Sequence, residues 1–84
     1  MTYRIRLTRQ AEKDVKRLTP KLQEKLKTIL RNRLAHDPYS GKALVGELKG
    51  YYSLRLSYQD RIVYSIHDAE LIVLVIRART HYGD

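Results

Sequence analysis

Leu71-Ile72-Val73-Leu74-Val75-Ile76 runs directly into Arg77-Ala78-Arg79-Thr80-His81-Tyr82. Six consecutive aliphatic residues, mostly β-branched, offer no alternation that would turn one side to water. The run therefore predicts a strand buried on both faces over 71–77. A buried strand fixes where the chain leaves its sheet. Two guanidiniums, an imidazole and a phenol are presented at that exit, a grouping suited to phosphate chemistry.

Working outward, Arg61 to Ile66 is a second strand, with His67-Asp68-Ala69-Glu70 as the turn between. Tyr51 to Ser57 is a third. It places Tyr52, Leu54 and Leu56 on one face and Ser53, Arg55 and Ser57 on the other. Tyr58-Gln59-Asp60 is a tight connection, Glu47 to Gly50 leads into the third strand, and Tyr39-Ser40-Gly41-Lys42 is a loop. Such short turns require antiparallel neighbours.

The first half of the chain is helical after an opening strand, in which Tyr3, Ile5 and Leu7 alternate with Arg4 and Arg6. Thr8 is a suitable N-cap for a short helix with Ala11, Val15 and Leu18 on its inner face. Thr19-Pro20 restarts the chain, with Thr as N-cap and Pro at the first helical position. The second helix turns Leu22, Leu26, Ile29, Leu30 and Leu34 to one side. It ends near Asp37-Pro38, because proline disfavours helical geometry at the residue before it. The order is β-α-α-β-β-β. This is an α+β fold, a helical hairpin on one face of a small, mostly antiparallel twisted sheet, forming one domain over 1–84.

At 84 residues the chain is near the lower limit for folding on a single core. No aliphatic run approaches the roughly 18 residues of a membrane span. The N-terminus has no apolar signal segment, which points to the cytoplasm. The lack of cysteine excludes disulfide scaffolds, thiolate zinc sites and cysteine nucleophiles. Seventeen Lys and Arg against nine Asp and Glu give a net charge of +8. A field of that size attracts polyanions such as nucleic acid, a ribosome or an acidic protein. Residues 1–37 hold eleven of the basic and four of the acidic side chains, which makes the helices the docking surface for a large polyanion.

The open face of the sheet collects the chemistry: Arg55, Arg61 and the groups after the last strand. Cleaving an RNA phosphodiester by internal attack needs a base for the 2′-OH, cations for the phosphorane and an acid for the leaving 5′-oxygen. Glu47 or His81 can take the first proton. Arg61, with Arg55 or Arg79, can hold the phosphate through paired hydrogen bonds. His81 or Tyr82 can supply the last proton, and tyrosines nearby can stack on a base. No metal or other cofactor is required, and the His and carboxylate spacings resemble no metal site. Each group also has an ordinary reading: Glu47 as a surface carboxylate, Arg61 with Asp60 as a turn ion pair, His36 and His67 as structural or solvent-exposed. Tyr64 is read as a core residue.

Three segments carry a family resemblance: Leu48-Lys49-Gly50-Tyr51-Tyr52-Ser53-Leu54-Arg55, Asp60-Arg61-Ile62-Val63-Tyr64 and Arg79-Thr80-His81-Tyr82. Over nearly its full length the chain resembles the RelE/ParE superfamily of bacterial toxins, and within it the RelE and YoeB/Txe mRNA interferases. The terminal His-Tyr pair is the more discriminating feature. The resemblance implies an endoribonuclease of a type II toxin-antitoxin system that cuts mRNA in the ribosomal A site, beside 16S rRNA. It also implies a cognate antitoxin, operator DNA bound only through the antitoxin complex, and no membrane. By that analogy Arg61 stabilises the phosphate, His81 transfers a proton, Tyr82 orients the substrate and Glu47 is the general base. Lys49, Arg55 and Arg79 match phosphate-binding positions. The acidic residue sits one position closer to the leucine than in YoeB-like sequences. The alternative within the superfamily is a ParE-like toxin that inhibits DNA gyrase without cutting nucleic acid.

Overall fold

The computed structural model describes residues 2–78. Strand β1 (Arg4–Leu7) leads into helices α1 (Arg9–Arg17) and α2 (Pro20–Ile29). Four strands follow: β2 (Lys42–Ala43), β3 (Tyr51–Arg55), β4 (Arg61–His67) and β5 (Ile72–Arg77). They form one sheet in the order β1-β5-β4-β3-β2. β1 runs parallel to β5, and the other neighbours are antiparallel.

The helix starts follow the capping logic. Thr8 Oγ1 accepts from the Ala11 N–H at 3.0 Å, and Thr19 Oγ1 accepts from the Leu22 N–H at 3.3 Å, with Pro20 opening α2. Past Ile29 the helix does not stop but widens. Leu30–Leu34 is a π-helical turn, closed by the Ala35 N–H donating to the Leu30 carbonyl at 3.0 Å. Leu26, Leu30 and Leu34 are all buried along this path. With Leu56, Ile62, Tyr64, Val73 and Val75 they make the core between helices and sheet. Full burial of each such side chain contributes about 1.5–3 kcal/mol.

Three expectations need correction. The loop predicted over 39–42 contains the start of an additional strand: Lys42 pairs with Ser53 and Ala43 with Tyr52. Two residues are too few to show alternation, so this strand is invisible in sequence. β3 ends at Arg55 instead of Ser57, because the Leu56 and Ser57 N–H groups both turn to the Asp60 carbonyl, at 2.8 and 3.1 Å. Finally, β5 is not fully buried on both faces. Val73 and Val75 are 0% exposed, whereas Ile72, Leu74 and Ile76 are half-buried. The second face meets no helix layer. Neighbouring positions there are taken by Arg4 and Arg6 of β1, opposite Ile72 and Leu74.

A run of tyrosines ties the elements together. Tyr64 is fully buried, and its Oη donates to the Pro38 carbonyl at 2.7 Å. Tyr52 stacks on Tyr64 with ring centroids 5.8 Å apart, and Tyr39 meets Tyr52 edge-on at 5.6 Å. Tyr39 and Tyr3 both donate to the Asp68 carboxylate. These bonds hold the Asp68 carboxyl below the usual range. They fasten the N-terminal strand and the loop after α2 to the β4–β5 turn.

Two outcomes follow from this packing. Gly41 lies so close to Tyr64 that an added Cβ would collide with the phenol and sit 2.9 Å from the Ser53 carbonyl oxygen. Gly41→Ala is expected to cost about 1–3 kcal/mol in denaturant unfolding, as overpacking does. Burial pushes the Tyr64 phenol up to about 12, and the hydrogen bond to Asp68 pushes Tyr39 to about 12. Both folded values lie above the unfolded one, so their stabilisation is complete below about pH 10. It is lost as pH rises through about 12. Unfolding curves across that window are expected to show the fall, reduced in Tyr39→Phe.

Candidate functional site

The β3–β4 hairpin creates the site. Its register sets Arg55 directly opposite Arg61, Ser53 opposite Val63 and Leu54 opposite Ile62. Directly opposed side chains lie on one face, with Cβ atoms about 4.5–5.5 Å apart. Ile62 is fully buried against the helices, so Arg55 and Arg61 project from the other face. Like charges in this arrangement repel. The fold gains nothing from such a pair, whereas a phosphate between the two guanidiniums would gain from both.

The hairpin turn is rigid for its own reasons. Ser57 Oγ donates to Asp60 Oδ2 at 3.0 Å and accepts from the Asp60 and Gln59 N–H groups at 3.1 and 3.3 Å. Asp60 thus closes the turn. Ion pairs among the described residues join Lys27 to Glu24 and Arg77 to Asp14, and none joins Arg61 to Asp60. Tyr58, at the tip, is 90% exposed.

Sequence reasoning missed Lys42. Because β2 exists, Lys42 is the partner of Ser53 and shares the face that carries Arg55 and Arg61. A lysine in an apparent loop gives no such signal. Glu47 and Lys49 are differently placed. Glu47 lies in a single 3-10 turn, Gly46–Leu48, and Lys49 follows it; both are exposed. The four strand steps from Tyr51 to Arg55 span about 13 Å, and Glu47 and Lys49 lie beyond the Tyr51 end. The hairpin therefore gathers Lys42, Arg55 and Arg61 but not Glu47 and Lys49. Arg79, His81 and Tyr82 lie outside the described residues.

The approach to those last residues is nonetheless defined. Val63 pairs with Arg77 and Tyr64 with Val75, so Ile76 is an extra residue in β5. Bulges of this kind redirect a strand and are enriched beside functional sites. They leave β5 ending next to the Val63 level of β4, two residues from Arg61. Asp14 of α1, 1% exposed, receives the end of the strand. Arg77 Nε donates to its Oδ2 at 2.8 Å and the Ala78 N–H donates to the same oxygen at 3.1 Å. Gln10 Nε2 donates to Oδ1 at 3.2 Å. Burial alone would raise the Asp14 carboxyl, but the bonds from Arg77, Ala78 and Gln10 outweigh it and the net shift is downward. Asp14 is the second residue missed, signalled only by a carboxylate three positions after Ala11 on the inner face of α1.

The sequence profile of a family described as ParE toxin of type II toxin-antitoxin system, parDE, matches residues 5–82. The chain belongs to this toxin family. Within the RelE/ParE superfamily it stands close to RelE and YoeB. It is 41% identical over 59 residues to a toxin YoeB of Mycobacterium bovis, spanning 66% of this chain and 67% of that relative. The structure of the RelBE2 toxin-antitoxin complex from Mycobacterium tuberculosis superposes with a TM-score of 0.87 at 27% identity, covering 99% of this chain and 95% of that one. A YoeB/ParE toxin from Agrobacterium tumefaciens superposes with a TM-score of 0.84 at 27% identity, covering 94% and 99%. The two-helix layer on a mostly antiparallel sheet is the fold of these toxins. No helix among the described residues is long and apolar enough to cross a membrane.

The opposed arginines give a direct check. Arg55→Thr removes the repulsion and adds a β-branched residue, so it is expected to raise stability by roughly 0.2–1 kcal/mol. A low-salt thermal melt measures this. A drop in stability would show that Arg55 has a structural partner.

Proposed function

We propose that this toxin is a ribosome-dependent mRNA endoribonuclease acting without a metal, and that the Arg55–Arg61 pair is the centre of its phosphate site. The observation that carries this reading is the register that opposes two arginines on the uncovered face. A pair of that kind is a stability cost unless an anion binds there. The YoeB and RelE names of the relatives support a nuclease over a gyrase inhibitor.

In the proposed reaction the 2′-OH loses its proton to a base, O2′ attacks phosphorus, the P–O5′ bond breaks and an acid protonates O5′. The products are a 2′,3′-cyclic phosphate and a 5′-OH. Arg61 and Arg55, with Lys42 beside them and Arg79 from the segment after β5, stabilise the equatorial oxygens. His81 takes the 2′-OH proton and Tyr82 donates to O5′. Glu47 is the base in the alternative assignment, with His81 as acid; the strand length between Glu47 and Arg61 favours the first. Lys49 contacts phosphate further along the message. Tyr58 at the hairpin tip stacks on a neighbouring base.

A cognate antitoxin is the proposed protein partner, by analogy with the RelBE2 complex. β1 is an edge strand, and beside it lies an open groove of about 490 Å³ lined by Ile5, Leu7, Leu30 and Ala35, with Lys27 and Arg31 at the rim. An acidic, amphipathic segment of the antitoxin matches that groove.

Primer extension on translating ribosomes tests the activity. Wild type is expected to leave cuts within the A-site codon. Arg61→Ala and His81→Ala are expected to lower the rate by about 10²-fold or more, as loss of charge stabilisation or proton transfer does, with thermal melts unchanged. An intact message together with stalled DNA supercoiling would replace this reading by gyrase inhibition.

A further inference from the structure

We infer that Asp14 is a positioning residue for the reaction: from inside α1 it fixes the point and direction at which the chain leaves β5 toward Arg79, His81 and Tyr82. This rests on the nuclease reading above, and it starts from an oddity of composition. A carboxylate 1% exposed is costly to bury, even when paired. Two apolar side chains of similar volume would often serve stability as well or better. A carboxylate does what they cannot: it accepts several directed hydrogen bonds at once.

Here those bonds converge on two consecutive residues. One oxygen of Asp14 receives both the Arg77 Nε–H and the Ala78 backbone N–H. The other receives Gln10 Nε2, while Arg77 Nη2 lies 3.4 Å away. A side-chain bond alone would hold Arg77 and leave the main chain free to rotate. The bond to the Ala78 N–H fixes the peptide plane itself. Ala78 is also fully buried within the core cluster. Arg79 is therefore attached to a residue whose backbone is held and whose side chain is packed.

The bulge at Ile76 makes the anchor necessary. An extra residue breaks the ladder and loosens the register of whatever follows it. After the bulge only Arg77 pairs with β4, opposite Val63. Asp14 takes over where the ladder ends, on a helix that is itself capped by Thr8. Thr8 Oγ1 in turn donates to the Ile76 carbonyl at 2.9 Å, and the Thr8 N–H donates to the Val75 carbonyl at 3.0 Å. One helix start and one buried acid therefore hold residues 75–78 in succession. A displacement of about 1 Å at catalytic groups can cost about 10²-fold in rate.

The test compares wild type, Asp14→Asn, Asp14→Ala and the double variant Asp14→Leu/Arg77→Met on programmed ribosomes under single turnover. The double variant replaces the ion pair by apolar volume, which keeps it folded should Asp14→Ala unfold. The expected result is a maximal cleavage rate at least about tenfold lower in Asp14→Ala and in the double variant. Half-saturation by ribosomes should stay within about threefold, because docking charges are untouched. Asp14→Asn, whose amide oxygen still accepts from Ala78, should recover most of the rate. Folded variants cutting at the wild-type rate would overturn the inference, as would a loss confined to half-saturation or proportional to the unfolded fraction. Amide spectra supply a readout independent of cleavage: Asp14→Asn and the double variant should shift the signals of residues 77–82 and spare those of β3. Should wild type cut no message, the nuclease reading fails and these spectra decide whether Asp14 directs the tail; no change beyond residue 78 would sink it.

Discussion

Val73 and Val75 are where the two ends of this chain meet. On one side they face Ile5 and Leu7 in parallel pairing, and on the other Ile66 and Tyr64 in antiparallel pairing. Both are fully buried under the helices. Parallel pairing demands a long crossover between the first strand and its partner. Here α1, α2 and the whole β2–β4 meander lie between them in sequence. The order of every other strand is counted outward from this contact, and the helices have one face to cover because β5 presents only one that is fully apolar in context.

The site inherits its geometry from that arrangement. β4 lies against β5, β3 against β4, and the hairpin between the last two brings Arg55 over Arg61. The same β4–β5 ladder delivers the end of β5 to the level of Val63, near the arginine pair. Burial and catalysis are assigned to opposite sides of one sheet. The covered side holds the aliphatic core and the Tyr52–Tyr64 stack, while the uncovered side holds the cations. Stability tolerates a repulsive arginine pair because the packing beneath it is complete.

The toxin family uses this scaffold with different charged groups, and this chain's version has a distinct emphasis. Its arginine pair, Lys42 and the anchored exit of β5 lie towards one end of the sheet. Glu47 and Lys49 sit past the opposite end of β3. A single carboxylate, Asp14, joins the helix layer to the last strand. Another, Asp68, joins the N-terminus to the β4–β5 turn through two tyrosines. Acids are scarce in this basic chain, and these two serve as joints.

Local sequence determined much of this. Thr8 and Thr19-Pro20 specify helix starts through hydrogen bonds made within three residues. The alternation in Tyr51–Arg55 and Arg61–His67 specifies strands and separates Arg55 and Arg61 from the core, because side chains of a strand must point to opposite faces. The motif residues also carried the family resemblance. Tertiary structure alone decided that Lys42 joins the arginines, since β2 exists only by pairing with β3. It decided that α2 ends in a π-helical turn and that the outer face of β5 is half-open. It also made Asp14 an anchor, because its partners Arg77 and Ala78 are more than sixty positions away. Contacts made within a few residues are written in the sequence pattern; those that need a distant strand in register appear only once the sheet is assembled.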